Sequence, residues 1–513
     1  MLRTLSLLLS LGVCAAVLQA QTNDAREHQR KGIEFAHRGE WRSAEAELRQ
    51  AVALAPDNAQ ILATLGGILG SEQNIAEAAV YLEKAVQLAP DNAAMRCNLA
   101  RSQWRLGKLP EARRNLETAL KTNPRDPQAA ILLGIVSENM GDYVAAADVL
   151  SRVRPLLANE PMAAAALASA YYRTGKTAEA HAFLESLGSA GPEVIFAVAR
   201  IATDTPDSAW AEKMLLSIRP VYPDPVALGY ELALAQYHQD HFADTQKTLS
   251  DLVAGGHASS DVHSLLGWCL QKQGKTPEAA AELEFAIRLE PDREVHYLDL
   301  ARIYLASAEP GTALRVARRT VEKFPASDEA WLLKGSIETG LQNLTDAVKS
   351  YSSAVKLNSN DPEPARALGT AQWLAGLVDE AKATLDELLR RFPRVATNYA
   401  AYGALLVGDS ASAEGDAKRG AELLETALTL DPNLAEPHYH LGNLALAKGD
   451  LETALRHLEI AVKLNPASSK SHFALSKALR RQGRAEESAR EVRLYQELKT
   501  AEERTWKRGD DNH

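Results

Sequence analysis

The feature that most constrains this chain is a recurring proline. Pro56, Pro90, Pro124, Pro192, Pro223, Pro291, Pro325, Pro393, Pro432 and Pro466 fall at intervals of 34 or 68 residues, with 31 and 39 as the two misfits. The misfits place a three-residue deletion near 195–225 and a five-residue insertion near 407–420. With those allowed, fourteen repeats begin at residues 25, 59, 93, 127, 161, 195, 226, 260, 294, 328, 362, 396, 435 and 469. A unit this short cannot bury an apolar face alone, so neighbouring units must stack into an array.

Two columns of the repeat hold only small residues. Position 8 includes Gly32, Gly66, Ala100, Gly134, Gly267, Gly335, Gly403, Gly442 and Ser476, and position 20 includes Ala44, Ala78, Ala112, Ala211, Thr245, Gly420 and Ser488. Close crossing of two helices requires small side chains where the axes meet. Within one unit, Leu266, Gly267 and Leu270 form one helical stripe and Ala279, Leu283 and Ala286 another, with Gly274 breaking the chain between them. Apolar residues recur at three and four throughout, never at two, so nothing reads as a strand.

Leu65-Gly66, Leu69, Ala78, Leu82, Ala85 and Pro90 resemble the tetratricopeptide repeat, as do Leu441-Gly442, Ala454, Leu458, Ala461 and Pro466. The resemblance spans residues 25–502 and implies an all-α, right-handed superhelical solenoid of helix-turn-helix repeats. Repeats six, seven and twelve depart from the pattern, with 195–259 degenerate, so weaker local stability is expected at 195–250 and 407–420.

The ends carry different signals. Residues 1–20 combine Arg3, a Leu-rich run from Leu5 to Val17 and Ala20, which reads as an export signal cleaved before Gln21. Val13 stands where a lipid-attachment box ahead of Cys14 wants a smaller residue, so lipid anchoring is disfavoured. A periplasmic or secreted chain without a transmembrane segment in its mature form is expected, ending in a polar tail at 503–513. With 57 Lys+Arg against 67 Asp+Glu, the net charge of -10 opposes general nucleic-acid binding. The repeats leave no stretch for a catalytic domain, and no enzyme activity, cofactor or metal is expected.

Several local patterns reduce to ordinary structure. Gly175-Lys176-Thr177 and Gly274-Lys275-Thr276 lack the earlier glycine of a phosphate loop and read as interhelical turns. His438 and His440 are two apart on a helix and face different sides. The run from Asp409 places Ala411 and Ala413 where calcium needs oxygens. Cys97 and Cys269 lie five repeats apart, too far for a disulfide, and read as free buried thiols.

What remains is a second stripe on each first helix, at positions 2, 5, 9, 12 and 13, turned away from the core positions 4, 7, 8 and 11. In the resembled family this stripe lines a concave groove and contacts partners. Here it carries Trp104, Tyr172, Tyr230, Tyr237, Trp268, Trp373, Tyr439 and Phe473. Such rings either anchor a partner or plug gaps between adjacent repeats. Charge is uneven along it: Arg101 and Arg105 flank Trp104, Arg173 follows Tyr172, and Lys470, Lys477, Arg480 and Arg481 surround Phe473. The Asn ladder and the Lys-Asn clamp of specialised family members are absent. The expectation is a bacterial envelope scaffold that binds proteins or peptides in its groove. The alternative is a guide for anionic polysaccharide, and an enzyme would require a site hidden in the insertion of repeat twelve.

Overall fold

The structure is a computed structural model that describes residues 23–408 and 414–510. The signal segment and Asp409, Ala411 and Ala413 lie outside the described residues. Among those described the chain is all helical, without strands, and follows a first-helix, second-helix alternation through fourteen repeats. The array divides into two compact units between Thr248 and Leu249.

Local chemistry sets the helix starts. Asn58, Asn92, Asp126, Ser259, Ser327 and Asp361 cap first helices by accepting backbone N–H groups of the opening turn. Gly107 and Gly274, at φ of +73° and +76°, make the turn into the second helix, which a side chain would strain. At several repeat ends the closing proline offers its carbonyl to position 4 of the next repeat: Arg96 donates to Pro90 (2.6 Å), Tyr297 to Pro291 (3.0 Å) and Trp331 to Pro325 (3.1 Å). This fastening was not visible as a motif, because the donors share no residue type.

The two small columns meet as expected. A Cβ added to Gly66 would lie 2.6 Å from Leu82 Cγ and 3.1 Å from the Ala78 carbonyl. Position 24 drops into that space: Leu48, Leu82, Leu116, Leu150, Leu283, Leu385 and Leu458 are all essentially inaccessible. Each such leucine contributes about 1.5–3 kcal/mol of burial, so the pair of columns holds every hairpin shut.

Four boundaries differ from the sequence expectation. The first helix of repeat six is Pro192–Ala202, opening three residues before 195. The deletion therefore falls at the end of repeat five, whose second helix Thr177–Ser186 has 10 residues instead of the 14 of Thr276–Leu289. In repeat four Pro155 cannot continue a helix, and Tyr143–Arg152 gives way to a 3-10 turn at Arg154–Asn159. The insertion of repeat twelve lengthens its second helix, Glu414–Leu430, to 17 residues rather than making only a loop. The final helix Ala485–Asp510 takes in most of the segment read as a tail.

The expected weakness at 195–250 is not matched by thin packing. Residues from Ile131 to Ala235 form one continuous apolar cluster that includes Phe183, Tyr171, Leu157 and Met214. The residues that fill it lie outside the signature columns, so pattern degeneracy does not measure core loss. Cys97 and Cys269 are both buried and outside any disulfide, and Gln273 donates to the Cys269 sulfur.

Candidate interaction faces of the first helices

The side chains of the second stripe fall into two groups. Most rings at position 12 reach into the following repeat. The Trp104 indole N–H donates to Asn139 (2.7 Å), and the ring packs against apolar clusters on both sides. The Tyr172 hydroxyl donates to Asp207 (2.6 Å), and burial followed by that carboxylate pushes its ionisation well above the usual phenol range. Tyr237 stands edge-on to Phe242, with ring centroids 5.6 Å apart, and Trp373 packs on Leu385, Leu388, Tyr402 and Leu406. Trp268, at position 9, donates to Asp299 of the next repeat, a carboxyl that burial raises and this bond lowers. Tyr230 is half-buried. Trp104, Tyr172, Trp268 and Trp373 thus join adjacent repeats.

Position 13 has a structural use too. Arg105 donates to the Gly70 carbonyl (3.1 Å) and to Gln73 Oε1, and Arg481 donates to the Leu446 carbonyl (2.8 Å). Both reach back one repeat to a carbonyl at the end of a first helix, where such groups lack partners within the helix. Arg173 instead lies over the Tyr143 ring at 5.8 Å.

The second group faces solvent. In the N-terminal unit, Arg101 is exposed on a cleft of about 260 Å³ lined by Gly66, Gly67, Gly70, Asn98 and Arg105. Gly66 is required by Leu82, but an added Cβ at Gly67 or Gly70 would meet nothing within 4 Å. Packing thus leaves two glycines of Ala59–Ser71 unexplained, although each costs a helix interior about 1 kcal/mol relative to Ala.

In the C-terminal unit, Phe473 is exposed and stacks on Tyr495, with centroids 4.8 Å apart, while Lys477 Nζ sits 4.1 Å over its face. Lys470 lies 4.9 Å over the half-buried Tyr439 and 3.3 Å from Glu436. His440 and then Lys470 hold the Glu436 carboxyl down to about 2. Arg480 is exposed. Phe473, Tyr439 and their lysines make a charged aromatic zone of the kind that cation–π contacts stabilise.

Tetratricopeptide-repeat profiles match residues 30–93, 71–136, 161–186, 261–284, 298–362, 367–394, 405–455 and 439–501, together well over half of the chain. The chain is a tetratricopeptide-repeat protein. Among solved structures, yeast Tom70 is similar at 16% identity over 92% of this chain and 91% of that one, with a TM-score of 0.42. The Cut9-Hcn1 hetero-tetramer of the APC/C gives 15% identity over 94% and 96%, with a TM-score of 0.38. Pseudomonas aeruginosa pilF gives 20% identity over 44% of this chain and 99% of that one, with a TM-score of 0.35. No curated protein sequence matches.

As a tetratricopeptide-repeat protein the chain is a protein–protein interaction scaffold. Among the described residues no three His, Cys, Asp or Glu side chains are grouped to hold a metal, and no helix is long and apolar enough to cross a membrane.

Proposed function

We propose that this scaffold is exported to the bacterial cell envelope, is periplasmic or secreted, and has no catalysis of its own. It holds an extended, acid-bearing segment of a partner protein against the first helices of repeats two and three. The cleft beside Arg101 carries this reading. Gly67 and Gly70 leave helix backbone bare on its wall, and Arg101 forms no ion pair among the described residues. A peptide main chain can lie close to such a wall while its carboxylate meets the guanidinium. Repeat three adds to the attraction, with eight Lys+Arg against three Asp+Glu in residues 93–126. A second reading, binding of anionic polysaccharide, draws on the lysine-flanked rings Tyr439 and Phe473.

The test is fluorescence anisotropy of a fluorescein-labelled peptide of alternating Gly and Glu, with a Gly-Lys peptide as control. The Glu peptide should bind at low salt, Arg101→Glu should weaken it at least tenfold, and Gly70→Leu should do the same by filling the cleft. Equal affinity of wild type and both variants would remove this site as the place of binding.

A further inference from the structure

Position 4 of the first helix holds a histidine in four repeats, and each meets position 23 of its own second helix. His28 lies 2.7 Å from Glu47, His263 2.6 Å from Glu282, and His472 2.5 Å from Glu491. Repeat thirteen breaks the series. There His438 Nδ1 meets not a carboxylate but His457 Nδ1, at 2.9 Å.

The surrounding bonds fix the proton count at this contact. His438 is hydrogen-bonded to the Pro432 carbonyl, as His472 is to Pro466 through Nε2 (2.9 Å). With Nε2–H donating there, the neutral His438 ring keeps a lone pair on Nδ1, which accepts from Nδ1–H of His457. One proton added to the pair can still be shared across an N–H···N contact. A second places two N–H groups and two positive charges against each other, with no carboxylate between.

We infer that the His438–His457 contact is an acid-sensitive latch that holds repeat thirteen closed at neutral pH and releases it when both rings are protonated. Every element packed against the pair bears this out in charge. The second helix Leu451–Leu464 adds Arg456, another cation. On the first helix, Ala435–Lys448, Glu436 is committed to His440 and Lys470. Among the described residues, no carboxylate of the adjoining helices Ala396–Gly408, Glu414–Leu430 and Ser469–Arg481 forms an ion pair with either ring. Burial first, and for His457 also His438 and Arg456, holds both imidazoles below the ordinary value of 6.5. The sign follows from that direction: the folded repeat prefers neutral rings, so the stabilisation is full above about 6.5 and is lost as pH falls below it. In the other three repeats the ring faces a carboxylate, so any positive charge on it is met by an opposite one. The consequence for the surface is specific, because Ala435–Lys448 also presents Tyr439 beneath Lys470.

Hydrogen exchange of the full chain at pH 7.5 and 5.5, corrected for the intrinsic pH dependence of exchange, tests the latch. Protection across 435–464 should fall at least tenfold in acid, while 260–289, which holds His263 and Glu282, should keep its protection. His457→Glu rebuilds the pairing of the other repeats and should abolish the loss. His457→Gln, which cannot take a proton, should also abolish it and covers the case in which the Glu variant folds poorly. Equal protection of 435–464 at both pH values would overturn the inference. So would an equal acid loss in wild type and the variants, or a loss shared by 260–289.

Discussion

Repeats four to seven and repeats thirteen and fourteen solve the same packing problem differently. In the later pair the sequence keeps the signature, and the core is a small cluster around Ala454, Leu455, Leu458, Leu475 and Leu479. In the earlier stretch the second helices shorten and the signature fades, yet the apolar cluster runs without interruption from Ile131 to Ala235. Phe183 is inaccessible and meets Tyr171 edge-on at 6.4 Å, and Phe196 stacks on Tyr222 at 4.4 Å. Where the second helices are short, bulky rings meet within one repeat, and the apolar cluster continues through the neighbouring repeats. The signature columns are therefore the smallest set of contacts that closes a hairpin, not a measure of the whole core.

The comparison breaks most visibly under truncation of its most deeply buried ring. Phe183→Ala should cost about 3–5 kcal/mol, and Leu458→Ala about 2–5 kcal/mol. Their reach should differ more than their size. Hydrogen exchange should show lost protection along the whole of 131–235 for Phe183→Ala, but only around 435–481 for Leu458→Ala. A loss confined to repeat five in the first variant would mean that the long cluster is a row of independent cores.

How much of this was legible beforehand depends on whether a residue acts within its own repeat. The hairpin crossings were readable because Gly66 and Ala78 impose a size limit that recurs every 34 residues. The start of repeat six was misplaced by three residues because the deletion sits at a helix end, where no column constrains it. Spacing alone defined the second stripe, and its roles were not separable in the sequence. Trp104 and Arg105 are engaged by Asn139 and by Gly70, both in other repeats, whereas Arg101, four residues before Arg105, is left to solvent. Sequence spacing gives the face of a helix, and only the neighbouring helix decides whether that face is covered. The His438–His457 contact needed both columns to be read together, since His438 alone looks like His28, His263 and His472 and only its partner differs.

The glycines sharpen the same distinction at lower energy. An added Cβ at Gly403 would lie 2.8 Å from the Gly420 carbonyl, a backbone atom that cannot swing away, and 2.8 Å from Leu424 Cγ. Gly403→Ala should destabilise by about 1–3 kcal/mol. Gly67, in the same kind of helix but with open space before it, should respond with the opposite sign, Gly67→Ala stabilising by about 0.5–1 kcal/mol. Urea midpoints that moved in the same direction for both would show that the Gly67 face is covered after all, and with it the cleft beside Arg101.

The smallest effect concerns a buried charge in repeat seven, within the stretch of continuous core. Glu231 keeps only 14% of its side chain exposed and accepts from Arg200 Nε at 3.0 Å, while Arg200 itself remains 60% exposed. Burial pushes the Glu231 carboxyl above its ordinary 4.5, and the Arg200 charge opposes that shift without cancelling it. A solvated arginine recovers little of what the carboxylate loses on burial. Glu231→Gln, of nearly equal shape, should therefore stabilise the N-terminal unit at pH 7, by no more than about 1 kcal/mol. The pH dependence runs opposite to that of repeat thirteen. A carboxyl raised in the folded state favours its protonated form there, so the wild type loses stability as pH rises through the folded value. The advantage of Glu231→Gln should be full at pH 7 and disappear below about pH 4.5, where the native glutamate is neutral in both states. A variant that is less stable than wild type at pH 7, by urea midpoint, would show that the Arg200 pair outweighs the burial of Glu231.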